Sequence, residues 1–244
     1  HPGAPSRQAL VSRTPPHRCP RNPERVLVLG DVPRVGSARF RLGLEVALEQ
    51  APLGQAQGRA LTVAVNLSAS SLVDAALPDE VFGMLAARGV PPGVLQLEIT
   101  EEFLMADRDR ARSILTQLRD GGVQISIDDY GTGYSSLSYL RELPIDELKL
   151  DQSFVLPMAD DARAAALVAS TIDLAHSLGL RMVAEGVETQ VAYAELKRLG
   201  CDQAQGYFIS RPVPPAILDH WLSNRPTGDG STQSPPRLSS VALG

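Results

Sequence analysis

The sequence predicts an α/β protein, a TIM-like β/α barrel that is incomplete at its N-terminal strands. Three observations carry that expectation. From about residue 40 onward, short apolar runs alternate with helical periodicity through six strand–helix units, the pattern of a parallel sheet with helices outside it. Unusual polar residues fall on or at the ends of those strands, mostly the carboxyl ends, which in a closed barrel converge on one mouth. Residues 1–38 lack the pattern.

"LTVAVNLS" reads as a strand ending at Asn66, followed by a helix through "DEVFGMLAARG". "VLQLEIT" is a strand ending near Glu98. The next helix runs through "DRDRARSILTQLRDGG", with Ala111, Ile114, Leu115 and Leu118 on one face, Asp107 as its cap and Gly121 and Gly122 as its stop. "ELKLD" is a short strand with Lys149 and Asp151 on one side and Leu148 and Leu150 on the other. A long helix follows, with Leu167, Val168, Thr171, Leu174, Ala175 and Leu178 at helical spacing. "LRMVAEG" is a strand ending at Glu185, "TQVAYAELKRLG" a helix, and "DQAQGYF" presents Gln205 as the chain rises again.

The stretch "SIDDYGTGYSSLSYL", residues 126–140, comes where the alternation of Val123, Ile125 and Ile127 ends and helical "SSLSYLREL" begins. Asp128 and Asp129 therefore sit at the carboxyl end of a strand, on a glycine-rich loop entering a helix. In isolation such a pair reads as one helix cap beside one solvated charge. Here it has company. Glu98, Asp128, Asp129 and Glu185, with a carboxamide and Lys149, make a hard-oxygen site without histidine or cysteine. Such ligands suit Mg²⁺ or Mn²⁺ and not zinc. Two cations bridged by a carboxylate, with Asp128 the best-placed bridge, account for an otherwise repulsive cluster and suit an anionic phosphodiester.

Lys149 is one of only two lysines against 21 arginines, so its use on an inward-facing strand position is a choice. Its amine can share or lose a proton, which arginine cannot; it can also serve as a counter-ion to the carboxylates. The two roles are compatible.

Length and composition set the outer bounds. A chain of 244 residues makes one large domain or two small ones, and 43% hydrophobic with 21% charged residues is the balance of a soluble globular protein. No apolar run approaches the ~18–20 residues that cross a bilayer. Cys19 and Cys201 have no zinc or disulfide spacing, and a cytoplasmic location is the natural expectation. The net charge of −5 argues against polymeric nucleic acid as a partner, though not against a small nucleotide.

The charge is uneven: residues 1–38 hold six arginines against Glu24 and Asp31, and seven of the 19 prolines. This segment reads as aberrant or non-native, like a frame-shifted stretch of GC-rich DNA, with "RVLVLGD" its one strand-like run. Beginning at His1, the chain has the look of a fragment. The expected organisation is an aberrant segment over 1–38, the barrel domain over 39–222 and a disordered tail over 223–244.

"VNLSA", "LEITE", "SIDDYGTGYSSLSYL", "ELKLDQSFV", "TIDLAHSLGLRMVAEGVET" and "LGCDQAQGYFISRPVP" resemble, in order and spacing, the successive motifs of the EAL domain family of cyclic di-GMP phosphodiesterases. The resemblance implies a modified β/α barrel that hydrolyses cyclic di-GMP to the linear dinucleotide with two divalent cations, Mg²⁺ or Mn²⁺. It implies metal ligation by Asn66, Glu98, Asp128, Asp129 and Glu185. Catalytic work falls to Lys149, Glu185 and Asp129, and substrate contact to Gln205 and Asp151. Glu101 would brace the "DDYGTGYSS" loop, and a homodimer would form through the loop and helix at 130–140. A sensor or GGDEF domain is expected upstream in the full-length protein.

One departure bears on activity. The family's Glu-x-Leu-x-Arg pattern, which supplies a metal-binding glutamate and a phosphate-directed arginine, is absent. Counting back from "LGLEVAL" without a gap puts Gln8 at the glutamate and Ser12 at the arginine, with Arg13 one place late. The alternative function is therefore a catalytically inactive EAL module that binds cyclic di-GMP or a protein. An unrelated barrel enzyme such as a Mg²⁺-dependent lyase would not need this motif series.

Overall fold

Eight strands form one sheet in the computed structural model, which describes residues 7–13, 25–30, 37–56, 62–68, 71–101, 108–133 and 137–211, with 213 and 217. The first two, β1 (Arg7–Arg13) and β2 (Arg25–Gly30), make an antiparallel hairpin. Six more follow in parallel and in chain order: β3 (Val63–Asn66), β4 (Leu95–Thr100), β5 (Gln124–Tyr130), β6 (Glu147–Leu150), β7 (Arg181–Ala184) and β8 (Gln203–Gln205). The sheet order is β2-β1-β8-β7-β6-β5-β4-β3, and β2 also lies against β3, so the two ends of the sheet come round to meet. Helices α1 (Ser37–Ala56), α2 (Leu77–Ala87), α3 (Arg108–Asp120), α4 (Leu137–Glu142), α5 (Gln152–Val155), α6 (Ala162–Ser177) and α7 (Gln190–Arg198) occupy the connections.

The parallel part follows the expected alternation. The N-terminal part does not. β1 runs against β8, and their ladder covers only Ser12 opposite Gln205 and Arg13 opposite Ala204. The N-terminal hairpin is thus well paired within itself and joins the parallel strands through a short antiparallel ladder. "RVLVLG" is indeed a strand, and "RQALVSR" is its partner.

The two faces of each parallel strand differ in chemistry because successive side chains point to opposite sides. One face carries Leu97, Ile99, Ile125, Ile127, Leu148, Leu150 and Met182, each at most 1% exposed. These share one apolar cluster with Ile114, Leu115 and Leu118 of α3 and Val168, Ile172 and Ala175 of α6. Each such large aliphatic side chain contributes about 1.5–3 kcal/mol on burial, and this helix–sheet layer is the core. The opposite face carries Gln96, Glu98, Ser126, Asp128, Glu147, Lys149, Gln203 and Gln205, all buried. The barrel interior is therefore polar.

Three local expectations need correction. The buried stripe of α6 is Val168, Ile172 and Ala175, and Leu167 faces outward at 50% exposure; Ile172 completes the stripe because it lies four residues beyond Val168. Strand β6 stops at Leu150, one residue short of Asp151. That aspartate is instead the N-cap of α5, where Oδ1 accepts from the Ser153 N–H at 2.9 Å. Asp128 and Asp129 lie within β5 and not on the loop after it, since β5 continues to Tyr130 through a register break against β6. The stop of α3 is as expected: the Gly122 N–H reaches the Arg119 carbonyl at 2.8 Å with φ +95°, a conformation open to glycine. The proposed cap Asp107, residues 134–136 and the tail 223–244 lie outside the described residues.

Candidate active site at the barrel mouth

Lys149 is the centre of the mouth. It lies on the inward face of β6, 3% exposed, with Nζ 3.0 Å from Glu98 Oε1 on β4, 2.8 Å from Asp128 Oδ1 on β5 and 2.7 Å from Glu185 Oε1 just after β7. Parallel pairing makes this convergence: Lys149 is opposite Val183, Glu98 is opposite Ser126, and Asp128 is two residues further along β5. Four elements thus deliver one ammonium and three carboxylates to a single point.

The electrostatics of that point are unbalanced. Burial opposes the lysine charge, but Glu98, Glu185 and Asp128 outweigh it and hold the ammonium well above the usual lysine pKa. Burial pushes the Glu98 carboxyl up to about 7, with Asp128 and Glu185 adding to the shift and Lys149 opposing it. Glu185 is raised for the same first reason, burial, against the same opposing lysine. One cation does not satisfy three acids, of which Glu98 and Asp128 are buried and Glu185 is partly buried.

The donor set therefore fits a divalent cation. Both carboxylate oxygens of Glu98 are buried without a hydrogen bond, although Nζ of Lys149 is in ion-pair range of one. Oxygens of Asp128, Asp129 and Glu185 lie within 4.8 Å of one another. Every donor is a hard oxygen, as Mg²⁺ and Mn²⁺ prefer.

Asp129 reaches this group through an unusual backbone. Its φ of +54° is the one positive value among the described non-glycine residues, and it coincides with the break in the β5–β6 ladder between Ile127 and Tyr130. Aspartate tolerates this conformation better than most residues. The bulge lets two consecutive strand residues approach one region. Just beyond, the buried Glu101 accepts through Oε2 from the N–H groups of Gly131 at 3.2 Å and Gly133 at 3.3 Å. A side chain at Gly133 would meet that carboxylate at 3.0 Å.

The remaining expected residues are more spread. Asn66 is exposed at the end of β3, level with Glu98 in the ladder. Gln205 is buried in β8, 7% exposed, with its Oε1 unpartnered. Asp151 spends one oxygen on its cap and is not in the acidic group. A second inward layer lies below the mouth: Gln96, Ser126, Glu147 and Gln203, each buried two residues before Glu98, Asp128, Lys149 and Gln205. The polar–apolar alternation in "QLEI", "SIDD", "ELKL" and "QAQ" carried that layer too.

Comparison with known proteins agrees with this architecture. A family model described as the EAL domain matches residues 23–212. The cyclic di-GMP phosphodiesterase NbdA of Pseudomonas aeruginosa is 46% identical over 162 residues, which is 66% of this chain and 21% of that protein. The bifunctional diguanylate cyclase/cyclic di-GMP phosphodiesterase MucR of the same organism is 47% identical over 152 residues, 62% of this chain and 22% of that one. The chain thus spans about a fifth of the length of these curated relatives. Among solved structures, the EAL domain of Mycobacterium smegmatis DcpA matches with a TM-score of 0.79 at 34% identity, covering 88% of this chain and 96% of that one. The PaMucR phosphodiesterase in complex with c-di-GMP matches with a TM-score of 0.75 at 37% identity, over 87% and 93%. The manganese/cy-diGMP complex of Klebsiella pneumoniae BlrP1 has a TM-score of 0.71 at 30% identity, over 87% and 57%.

Proposed function

The chain belongs to the EAL domain family, and from that premise we propose that it hydrolyses cyclic di-GMP to the linear dinucleotide at the barrel mouth with Mg²⁺ or Mn²⁺. The observation that carries the reading is Glu98: a buried carboxylate whose oxygens have no hydrogen bond beyond the ion pair of Oε1 with Lys149, beside Asp128, Asp129 and Glu185. Asn66, Glu98, Asp128, Asp129 and Glu185 would hold the metal ions. Bound there, the ions would supply Lewis-acid polarisation of the phosphoryl group and a more acidic water.

The chain's own groups do the rest. Lys149 keeps its proton, so it serves as a fixed positive charge that orients Glu98, Asp128 and Glu185 and faces the phosphodiester. Gln205 offers its unpartnered carbonyl oxygen to the substrate from β8, two strands from Lys149. Glu101 holds the Gly131–Gly133 loop, and through it the backbone that carries Asp128 and Asp129. Asp151 fixes the start of α5 and would contact the substrate with its second oxygen. A homodimer through the 130–140 segment, a cytoplasmic setting and an upstream sensor or GGDEF domain complete the proposal. No helix among the described residues is long and apolar enough to cross a membrane.

A second reading is favoured by the N-terminus. The Glu-x-Leu-x-Arg pattern is absent, and the register of β1 sets Gln8 opposite Leu29, four residues along from Ser12 at the level of Gln205. On that reading the chain binds cyclic di-GMP, or a protein partner, without turning nucleotide over. Nucleotide turnover with Mn²⁺, with and without chelator, decides. Metal-dependent appearance of linear dinucleotide supports the first reading; tight binding without product supports the second. Neither binding nor product overturns both.

A further inference from the structure

We infer that Glu147 is a positioning residue for the mouth: it ties β4, β5, β6 and β7 together one layer below Lys149 and so sets the spacing of the metal-binding carboxylates. The inference rests on the metal-binding reading of the mouth. Glu147 is 2% exposed. Its Oε1 accepts from Gln96 Nε2 at 2.5 Å and from Ser126 Oγ at 3.4 Å. Its Oε2 faces Arg181 Nη2 at 3.6 Å, and that same nitrogen donates to Gln124 Oε1 at 3.1 Å.

The four strands tied by this floor are the four that feed the upper cluster. Gln96, Ser126 and Glu147 each stand two residues before Glu98, Asp128 and Lys149, on the same face, roughly 7 Å lower. The floor is an acid ringed by donors, and the mouth is a cation ringed by acids.

Two features make the floor matter. The mouth sets Glu98, Asp128 and Glu185 around one ammonium, so the carboxylates repel one another while each is drawn to Lys149, and their spacing depends on how the strands beneath are held. The backbone offers least resistance there, because the β5–β6 ladder breaks after Ile127 opposite Leu148 and resumes only at Tyr130 opposite Leu150. Asp128 and Lys149 lie in that gap. The nearest inward-facing pair beneath it is Ser126 opposite Glu147, and their side chains also touch. The floor contact therefore reinforces β5 against β6 at the last inward-facing pair below the break.

The test is direct calorimetric titration of Mn²⁺ into the 244-residue chain, with no substrate and no turnover. Glu147→Ala removes the tie and is expected to weaken Mn²⁺ binding ~10–100-fold, the range typical of groups that orient metal ligands. Glu147→Gln keeps a carbonyl that accepts from Gln96 and Ser126, and is expected to recover most of the affinity. Leu196→Ala, a buried change in α7, is the control: it lowers thermal stability at wild-type affinity. If Glu147→Ala does not fold, Glu147→Leu carries the same expected loss at similar volume. A Glu147→Ala chain that binds Mn²⁺ as tightly as wild type overturns the inference alone. So does an affinity that tracks thermal stability equally in the Glu147 and Leu196 variants. A wild-type chain that binds no Mn²⁺ overturns the metal-binding reading, and this inference falls with it.

Discussion

Asp128 Oδ1 accepts from Lys149 Nζ at 2.8 Å across the one break in the β5–β6 ladder. The contact joins two strands where their backbones are not paired, so it sets the geometry of the mouth as well as its charge. Asp128→Asn keeps a carbonyl oxygen for Lys149 and removes the negative charge. The fold is expected to persist, with unchanged circular dichroism, while turnover with Mn²⁺ is lost. Activity within about tenfold of the parent, only ~1.4 kcal/mol in the barrier, would remove Asp128 from the bridging role.

Lys149→Arg conserves charge and is still expected to fail. The ammonium fits between three carboxylate oxygens at 2.7–3.0 Å with 3% exposure, a space shaped for a compact point charge. The planar guanidinium is larger and would displace Glu98 or Glu185. Lys149→Met goes further, leaving the buried acids without their cation, and breaking such a group costs about 3–5 kcal/mol. Turnover and thermal unfolding of both variants check this. Parental turnover in the arginine chain would show that the mouth tolerates any cation.

Much of the placement of these residues is legible in the sequence, and the reason is periodicity. Glu98, Lys149 and Gln205 sit on short strands whose alternation assigns each a face, and the parallel order brings those faces together. Other features had no such signal. Asp151 follows "ELKL" in perfect alternation, yet "DQS" is also a cap, and the capping hydrogen bond prevailed. The left-handed turn at Asp129 is a single-residue event inside an apolar alternation, which no period reports. Leu167 and Val168 are adjacent aliphatics, and only the docking of α6 decides which is buried. The hairpin of β1 and β2 takes its place from contacts with β8 and β3, far off in sequence.

The Glu98 carboxyl makes a pH-dependent prediction. Burial raises it from 4.5 to about 7 without metal, so the folded chain prefers it protonated. That contribution to stability is whole below the ordinary carboxylate range and is lost as pH rises through about 7. Glu185 shifts in the same direction. Lys149 acts across this window without change, since its own elevated pKa is passed only at far more alkaline pH. In chelator, the melting temperature of wild type relative to Glu98→Gln is therefore expected to fall between about pH 5 and 8, and Mn²⁺ to restore it at the upper end. A difference that stays flat in chelator would refute the account of Glu98.

Glu101→Ala removes the acceptor of two N–H groups in the loop that follows Asp129. Leaving such donors unpaired costs about 1–3 kcal/mol each where water does not replace the bond. The loop is then expected to relax, and the Mn²⁺ concentration for half-maximal turnover to rise ~10-fold or more. Glu101→Gln retains a carbonyl and is expected to fall between. An unchanged Mn²⁺ requirement in the alanine chain would separate the loop from the mouth.

The N-terminal hairpin is expected to decide how fast this 244-residue chain turns nucleotide over. Gln8 is the residue that an ungapped count sets at the family's signature glutamate. The register sets it opposite Leu29, while Ser12, at the foot of the same strand, is opposite both Arg25 and Gln205. At ~3.3 Å per residue, the backbone of Gln8 stands ~13 Å along β1 from the level of Gln205. Gln8→Glu alone is therefore expected to restore little activity. The parent itself should run roughly two to three orders of magnitude below a chain whose residues 1–38 are replaced by an EAL N-terminal segment bearing the Glu-x-Leu-x-Arg pattern. That segment supplies a carboxylate and an arginine together, and losing a charged group from a metal site or a phosphate clamp costs a few kcal/mol of transition-state stabilisation. Turnover of cyclic di-GMP with Mn²⁺, measured for the parent, the Gln8→Glu variant and the chimera, gives the ranking. A parent as fast as the chimera would mean that the hairpin of β1 and β2 completes the mouth with groups of its own.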